Sequence, residues 1–272
     1  MNLKELDLIP VAIHSVPRSG STWLGAIFDS HPKVAYRFQP LFSYGHKGQI
    51  SERSGSADID IFFKDILETK DQFVLGHGSP EKAKVPKFTK ELPSHIVYKE
   101  VRYHHIIRNL LNKNDEIKVV ALIRDPIEVI HSWLKAPKEF RYDLGWNADD
   151  EWYYAKKKNQ NKPEEFNGFA KWIEVASTFE QLRNEFPDRV FIINYKNLVD
   201  ETVKTVKQAF DFCQLELVSS VREFIHESKS KESRDPYGVY KTKSTSSYQI
   251  DRIGAQIMKE LKNTTLEKYL LV

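Results

Sequence analysis

Short apolar runs alternate with amphipathic segments along most of this 272-residue chain. Apolar runs bounded by polar turns are typical of buried strands, and apolar residues recurring every three or four positions are typical of helices. The pattern predicts strands near residues 9–16, 34–38, 95–101, 118–124 and 189–195. It predicts helices near residues 21–30, 103–112, 126–135, 166–186, 198–213, 217–227 and 249–262. Strands alternating with helices predict a three-layer α/β fold with a central, mainly parallel sheet.

Two stretches of the chain depart from this regular alternation. Residues 39–94 are polar and interrupted by glycines, and residues 137–165 mix aromatic rings with many charges. Aromatic faces among polar groups suit sugar rings or other amphipathic molecules, although loops that pack against their own domain have the same composition. No repeat and no flexible linker divides the sequence. We therefore predict one domain over residues 1–272, with insertions near 39–94 and 137–165.

The composition of the chain says more about where the protein is located than about its chemistry. With 40% hydrophobic residues and a mean hydropathy of −0.52, the chain can bury a large core, and no stretch is apolar enough to cross a bilayer. The N-terminus lacks the apolar core of a signal peptide, and the single cysteine, Cys213, is predicted to be a buried thiol. The net charge of +3 neither demands nor excludes a nucleic-acid partner. We predict a cytoplasmic protein without a membrane span and without a nucleic-acid partner.

The most informative segment, residues 9–24, reads as an apolar strand, a tight polar loop and the start of a helix. Its loop, residues 18–22, has the sequence Arg-Ser-Gly-Ser-Thr. A helix N-terminus offers free backbone N–H groups and the positive end of the helix dipole, and the loop adds a guanidinium and hydroxyls. The segment therefore predicts a binding site for an anion such as a phosphate.

This loop differs from the P-loop that binds nucleoside triphosphates. Gly20 and Thr22 keep the P-loop register, but Ser15 replaces its first glycine and Ser21 replaces its lysine. A cation returns earlier, at Arg18. The loop keeps an anion cradle and lacks the groups that hold a γ-phosphate and its magnesium, which disfavours an ordinary kinase.

A second strand-to-helix unit follows about a hundred residues later, at residues 118–133. Arg124 ends its strand, Pro126 opens its helix, and Ser132 lies about two helical turns into that helix. A planar guanidinium and a hydroxyl in these positions can converge on one phosphate. Alternatively, the Arg-Asp-Pro sequence is a helix cap with a surface ion pair.

Together the two units resemble the sulfotransferase family. Pro17 to Leu24 match that family's opening motif throughout, and Arg124 and Ser132 stand at the spacing of its 3′-phosphate motif. The resemblance implies a P-loop NTPase-like fold, the donor 3′-phosphoadenosine 5′-phosphosulfate (PAPS), the product adenosine 3′,5′-bisphosphate (PAP), and no metal. It implies nucleotide contacts from Arg18, Ser19, Gly20, Ser21, Thr22, Trp23, Arg124 and Ser132. A late basic segment, in the position of the family's closing loop, adds Lys241 and Lys243 as candidates.

The resemblance also implies transfer of a sulfuryl group to an acceptor hydroxyl or amine, in which charge stabilisation and positioning dominate. Arg18 is the first candidate to neutralise the leaving phosphate, and Lys99 is a candidate to neutralise the transferring group. The family's usual bases are missing, because Gln39 stands where carbohydrate-type members have glutamate, and Val101 where cytosolic members have histidine. The candidate bases are His46, His77, Glu100 and His104. Gln39 is a candidate to orient the acceptor instead.

The acceptor itself is less constrained by the sequence. The arginine of the first loop and the Gln-Pro after the second strand look closer to the carbohydrate-type and bacterial members. We therefore predict a small-molecule or carbohydrate acceptor, contacted through the two insertions. Two other functions stay open: a nucleotide kinase with an altered P-loop, and a nucleotide-binding protein of the same fold without catalytic activity. The oligomeric state is not predicted.

Overall fold

A five-stranded sheet forms the centre of the protein, for which a computed structural model describes residues 7–76, 87–233, 241–242 and 251–271. Its strands are β1 (Ile9–His14), β2 (Val34–Phe38), β3 (His95–Glu100), β4 (Lys118–Ile123) and β5 (Val190–Asn194). All neighbours run parallel, in the order β2-β3-β1-β4-β5. The predicted strands and the predicted α/β fold with a parallel sheet are confirmed. A separate parallel pair joins β6 (Glu232–Ser233) to β7 (Lys241–Thr242).

Helices cover both faces of the sheet. They are α1 (Ser21–Asp29), α2 (Ser56–Glu68), α3 (Ile107–Lys113), α4 (Pro126–Leu134), α5 (Ala148–Glu151), α6 (Lys156–Asn159), α7 (Phe169–Glu185), α8 (Tyr195–Asp200), α9 (Thr202–Cys213), α10 (Ser219–Ser230) and α11 (Arg252–Leu261). None of these helices of the described chain has the length and apolar character needed to span a membrane.

The core lies in two layers, one on each face of the sheet. Helices α2, α3, α4, α7 and α11 bury the first layer, which contains Trp172 and Phe179 of α7. Helices α1, α9 and α10 bury the second layer, around Phe28 and Phe210. The thiol of Cys213 is buried there as predicted, and burial raises its pKa, which makes it a poor nucleophile. A parallel sheet covered on both faces explains why β1, β4 and β5 are mostly apolar without alternation.

Two local predictions were wrong. Helix α2 lies inside the segment 39–94, for which no helix was predicted, and its side chains Ile59, Phe62, Phe63 and Ile66 are fully buried. Their spacing is helical, but the many polar residues around them hid it. The single helix predicted over 198–213 is two helices, α8 and α9, which meet at Glu201.

The strand order determines where a ligand can bind. The chain leaves β1 towards β2 on one side of the sheet, whereas it leaves β4 towards β5 on the other side. At such a switch point the two loops part and leave a crevice at the carboxyl edge of the sheet. The loop after β1 and the loop after β4 are the two segments that the sequence indicated as phosphate-binding.

Candidate active site

The loop after β1 has the form of an anion cradle. Arg18 and Gly20 both have left-handed backbone conformations, with φ of 70° and 87°, and helix α1 begins immediately afterwards. Among the described residues, the backbone N–H groups of residues 19–22 donate no hydrogen bond, and the buried Ser19 hydroxyl has no partner. Buried polar groups are normally paired, so this cluster of unpaired donors fits an anionic ligand.

Gly20 has no room for a side chain. A Cβ on this residue would overlap the ring of Tyr195, the first residue of α8. The guanidinium of Arg124 also packs on this ring, with its Cζ 4.6 Å from the centroid of Tyr195. The Tyr195 ring therefore packs against both predicted phosphate-binding units.

Arg124 is held by contacts on several sides. Its NH1 donates to the carbonyl oxygen of Arg18 at 3.0 Å, and its Nε bonds to Oε2 of Glu128 at 2.8 Å. The indole Nε1 of Trp172 donates to the Arg124 carbonyl at 2.9 Å. These contacts fix the direction of the guanidinium before any ligand binds, which lowers the entropic cost of binding.

The Arg-Asp-Pro sequence also forms the helix cap and the ion pair that were the alternative to a phosphate site. The Asp125 carboxylate accepts hydrogen bonds from the backbone of Ile127 and Glu128, and Pro126 occupies the first turn of α4. The cap and the Arg124–Glu128 ion pair orient the helix that carries Ser132. A cap and a phosphate site are thus compatible in this unit.

Ser132 and Trp23 complete the group of predicted nucleotide contacts. Nε of Arg18 donates to Oγ of Ser132 at 3.1 Å, which joins the first unit to the second. The indole Nε1 of Trp23 donates to Oγ of Ser228 in α10 at 2.9 Å. The candidate Lys241 lies in the backbone pair β6–β7, and Lys243 lies outside the described residues.

The predicted acceptor side lies at the carboxyl ends of β2 and β3. Lys99 is buried, with its Nζ 4.2 Å from the centroid of the Phe38 ring. Gln39 has a left-handed backbone with φ of 43°, and its N–H donates to the Lys99 carbonyl at 2.8 Å. Its side-chain Oε1 accepts from NH1 of Arg102 at 3.5 Å, and the Arg102 guanidinium stacks 4.2 Å from the ring of Phe42. Cations and aromatic rings therefore alternate along this edge.

Glu100, the last residue of β3, is a fully buried carboxyl group. Its Oε1 accepts a hydrogen bond from the backbone N–H of Leu41 at 2.8 Å, whereas its Oε2 has no hydrogen-bond partner. Burial raises its pKa to about 8, although the Leu41 N–H and the cations Lys99 and Arg102 act in the opposite direction.

The histidine candidates differ in how their rings are bound. Both ring nitrogens of His46 have partners, Gln49 Oε1 at 3.0 Å and Thr69 Oγ1 at 3.1 Å. Nδ1 of His104 lies 3.1 Å from Nδ1 of His14 inside the core, and its Nε2 has no partner. His77 lies outside the described residues. Among the residues that the structure describes, no group of histidine, cysteine, aspartate or glutamate side chains suits a metal ion.

The fold and this site together define a class of nucleotide-binding α/β proteins with an anion loop after the central strand. Within that class, residues 8–260 match the family model of the sulfotransferase domain. The chain belongs to the sulfotransferase family, and the prediction of a PAPS-dependent sulfotransferase is confirmed.

Solved structures agree with this fold. Mouse sulfotransferase SULT7A1 complexed with PAP superposes with a TM-score of 0.53 at 12% identity, covering 95% of this chain and 87% of the mouse chain. Retinol dehydratase in complex with androsterone and PAP gives 0.52 at 14% identity, covering 95% and 82%. The sulfotransferase domain of the Synechococcus PCC 7002 olefin synthase gives 0.51 at 17% identity, covering 93% and 94%. Comparison by sequence with curated proteins finds no match.

Sequence analysis missed three side chains of this site. Tyr195 begins a helix directly after a strand, Glu128 lies one turn after Arg124, and Trp172 is a core residue of α7. Only the Glu128 position carried a signal, because an acidic residue four positions after an arginine on a helix is an ion-pair pattern. The roles of Tyr195 and Trp172 depend on tertiary contacts.

Proposed function

We propose that this protein transfers a sulfuryl group from PAPS to a hydroxyl or amine of a small-molecule or carbohydrate acceptor. The observation that carries the proposal is the joining of two distant motifs. Arg18 bonds to Ser132 through its Nε, and Arg124 bonds to the backbone of Arg18. Two arginines, a hydroxyl and a helix N-terminus thus form one anion site at the switch point of the sheet.

In this proposal the two ends of the nucleotide bind to different units. The free N–H groups of residues 19–22 and the Ser19 hydroxyl bind the 5′-phosphosulfate, and Arg18 neutralises charge on the departing phosphate. Arg124 and Ser132 bind the 3′-phosphate. Lys241 and Lys243 stay candidates for the same phosphate. Bound PAPS supplies the activated sulfuryl group.

The acceptor, in this proposal, binds over the carboxyl ends of β2 and β3. The exposed ring of Phe42, the Arg102 guanidinium stacked on it and the Gln39 amide offer an aromatic face next to hydrogen-bonding groups. Such a mixture suits a polar ring-containing acceptor, a carbohydrate among them. Lys99, buried beside Phe38, stabilises charge on the transferring group.

The first experiment is calorimetric titration of the purified protein with PAP, with and without magnesium, and with ATP and 5′-AMP as controls. The proposal expects tight binding that needs the 3′-phosphate and does not need the metal. Preference for ATP with magnesium would favour a kinase with an altered P-loop. Absence of PAP binding would remove the donor assignment.

The second experiment tests transfer. Radiolabelled PAPS is incubated with benzyl alcohol, N-acetylglucosamine, tyramine and 4-nitrophenol, and sulfated products are separated by chromatography. Transfer to a hydroxyl or amine is the expected result. PAP binding without transfer to any acceptor of a broader panel would identify a nucleotide-binding protein that has lost the chemistry. Cytoplasmic location and the lack of a nucleic-acid partner stay predictions from the sequence.

A further inference from the structure

The transfer proposed above requires a group that accepts the proton of the acceptor, and Gln39 cannot be that group. An amide oxygen is not protonated near neutral pH. His46 has both ring nitrogens bonded to neighbours in its own loop region, Gln49 and Thr69. His104 is buried in the core, where its Nδ1 is paired with His14 and its Nε2 has no partner; burial lowers its pKa well below 6.5, so its ring is a poor proton acceptor. These three candidates are therefore occupied or chemically unsuited.

Glu100 has the opposite arrangement, since one of its carboxyl oxygens is fixed and the other is unused. Oε1 accepts the Leu41 N–H, which lies in the turn that starts at Gln39. The Glu100 backbone carbonyl accepts the N–H of Ser15 at 3.3 Å, at the start of the anion loop. The backbone of residue 100 is therefore joined to the start of the donor loop and its carboxyl group to the Gln39 turn, and its buried Oε2 has no partner.

We propose that Glu100 supplies the carboxylate that position 39 lacks, with Oε2 accepting the proton of the acceptor hydroxyl. The inference rests on the proposed sulfuryl transfer. As the acceptor oxygen forms its bond to sulfur, the bond between sulfur and the bridging phosphate oxygen breaks. The electron pair of that bond stays on the 5′-phosphate of PAP, and the acceptor proton moves to Oε2. The products are the sulfated acceptor, PAP and a protonated Glu100, which then releases its proton to solvent.

The groups around the carboxyl support this role. Lys99 precedes it in β3 and Arg102 follows the strand, and both cations favour its ionised form. The charge of Glu100 helps to raise the pKa of three nearby tyrosines: Tyr36 from β2, Tyr98 from β3 and Tyr103 beyond the strand. Burial dominates and raises the pKa of Glu100 to about 8, close to the pH at which a general base is most efficient.

The Glu100 carboxyl group is fully buried, so an acceptor needs a path to it. Leu41 of the Gln39–Phe42 turn bonds to its Oε1, the Val101 backbone N–H also acts on the carboxyl, and the Phe42 ring at the end of the turn is half exposed. The acceptor hydroxyl has to reach Oε2 past this turn. Gln39 and Phe42 then contact the body of the acceptor while Glu100 takes the proton.

The test compares Glu100→Gln with wild type for acceptors of different acidity. The glutamine can keep the bond from Leu41 N–H but cannot accept a proton. With benzyl alcohol or N-acetylglucosamine, which need a base, kcat is expected to fall by about 100-fold or more. With 4-nitrophenol, largely ionised at mildly alkaline pH, the fall should be only a few-fold. Calorimetric PAP affinity should stay unchanged. The matched control is Glu180→Gln, in which a carboxylate bonded to Tyr269 and Lys268 is changed instead.

The pH profile supplies a second readout. For alcohol acceptors the wild-type kcat/KM should rise with pH towards about 8, and this rise should be missing in Glu100→Gln. An equal loss of rate for alcohols and for 4-nitrophenol would overturn the inference, because a merely structural role does not depend on acceptor acidity. An unchanged kcat in Glu100→Gln would overturn it as well.

Two further arms keep the result decisive. If circular dichroism shows that Glu100→Gln is unfolded, Glu100→Asp replaces it, and the expected result is a smaller loss with the same dependence on acceptor acidity. If wild type sulfates no acceptor of the panel, hydrolysis of PAPS, with water as the acceptor, is compared in the same variants. Failure of PAP binding in wild type would contradict the proposed function, whereas normal binding with an insensitive Glu100 variant would contradict only this inference.

Discussion

Nε of Arg18 donates a hydrogen bond of 3.1 Å to Oγ of Ser132, across 114 positions of the sequence. The first residue belongs to the loop after β1 and the second to the helix after β4. Because the hydroxyl accepts from the arginine, its proton stays available as a donor to a phosphate. The two predicted phosphate-binding units are therefore joined before a ligand binds, and their contributions to affinity should not be independent.

The coupling leads to a prediction for Arg18→Ala and Ser132→Ala. Each single variant should weaken PAP binding by about 10- to 100-fold, as expected for loss of a hydrogen bond to a charged group. The double variant should lose less than the sum of the two free-energy changes, because each single change already removes their shared bond. Calorimetry on the four proteins measures this. Ser177→Ala, at a half-buried position of α7, is the control, and additive losses would contradict the coupling.

Arg124→Ala should change the selectivity for nucleotides. The proposal assigns its guanidinium to the 3′-phosphate, so the ratio of PAP affinity to 5′-AMP affinity should fall, with little change in 5′-AMP binding. Competition titrations with both nucleotides provide the ratio. Arg222→Ala, at an exposed position of α10, should leave the ratio unchanged. Equal weakening of both nucleotides would place the role of Arg124 elsewhere.

Gly20→Ala should disrupt the anion loop. The residue has φ of 87°, which is unfavourable for alanine, and the added methyl group would overlap the Tyr195 ring. We expect loss of PAP binding by at least about 10-fold and a lower melting temperature. Tyr195→Ala in the same background relieves the overlap but not the backbone strain, so it should restore only part of the stability. Full recovery would mean that the backbone conformation is unimportant.

Glu100 should make the protein less stable as the pH rises. Its pKa is raised from 4.5 to about 8 in the folded protein, so between these values the unfolded chain loses the proton while the folded protein keeps it. The free energy of unfolding should therefore fall between pH 4.5 and about 8, by about 1.4 kcal/mol per pH unit at most. Urea unfolding across this range tests it. Glu100→Gln should remove this contribution, and an identical slope in that variant would refute the assignment.

The His14–His104 pair should have the opposite effect at acidic pH. Burial lowers the pKa of His14 from 6.5 to about 3 and that of His104 well below 6.5. Below pH 6.5 the unfolded chain takes up protons that the folded core rejects, so stability should fall as the pH decreases. His104→Phe, which suits the ring contact with Phe166, should reduce this acid sensitivity. His226→Gln, at an exposed position, should not; an equal reduction there would contradict the prediction.

Local patterns predicted most of the fold. Strands β1, β4 and β5 are mostly apolar runs, which are typical of strands buried on both faces of a parallel sheet. Helix α2 was not predicted, because its four buried residues stand among charged and polar neighbours. The division between α8 and α9 lies at Glu201, whose backbone, with φ of −119° and ψ of 47°, is not helical, and periodicity does not report such a break.

The sequence by itself determined the family, the order of the two anion motifs and the lack of the usual base at positions 39 and 101. These properties depend on residues that are neighbours in the sequence, so contiguous motifs are enough to identify them. Tertiary structure alone decided that Arg18 bonds to Ser132, that Tyr195 packs against both motifs, and that Glu100 keeps one oxygen unused beneath the Gln39 turn. Such contacts join residues far apart in the chain, and their geometry is set by strand order and by packing, which no local pattern contains.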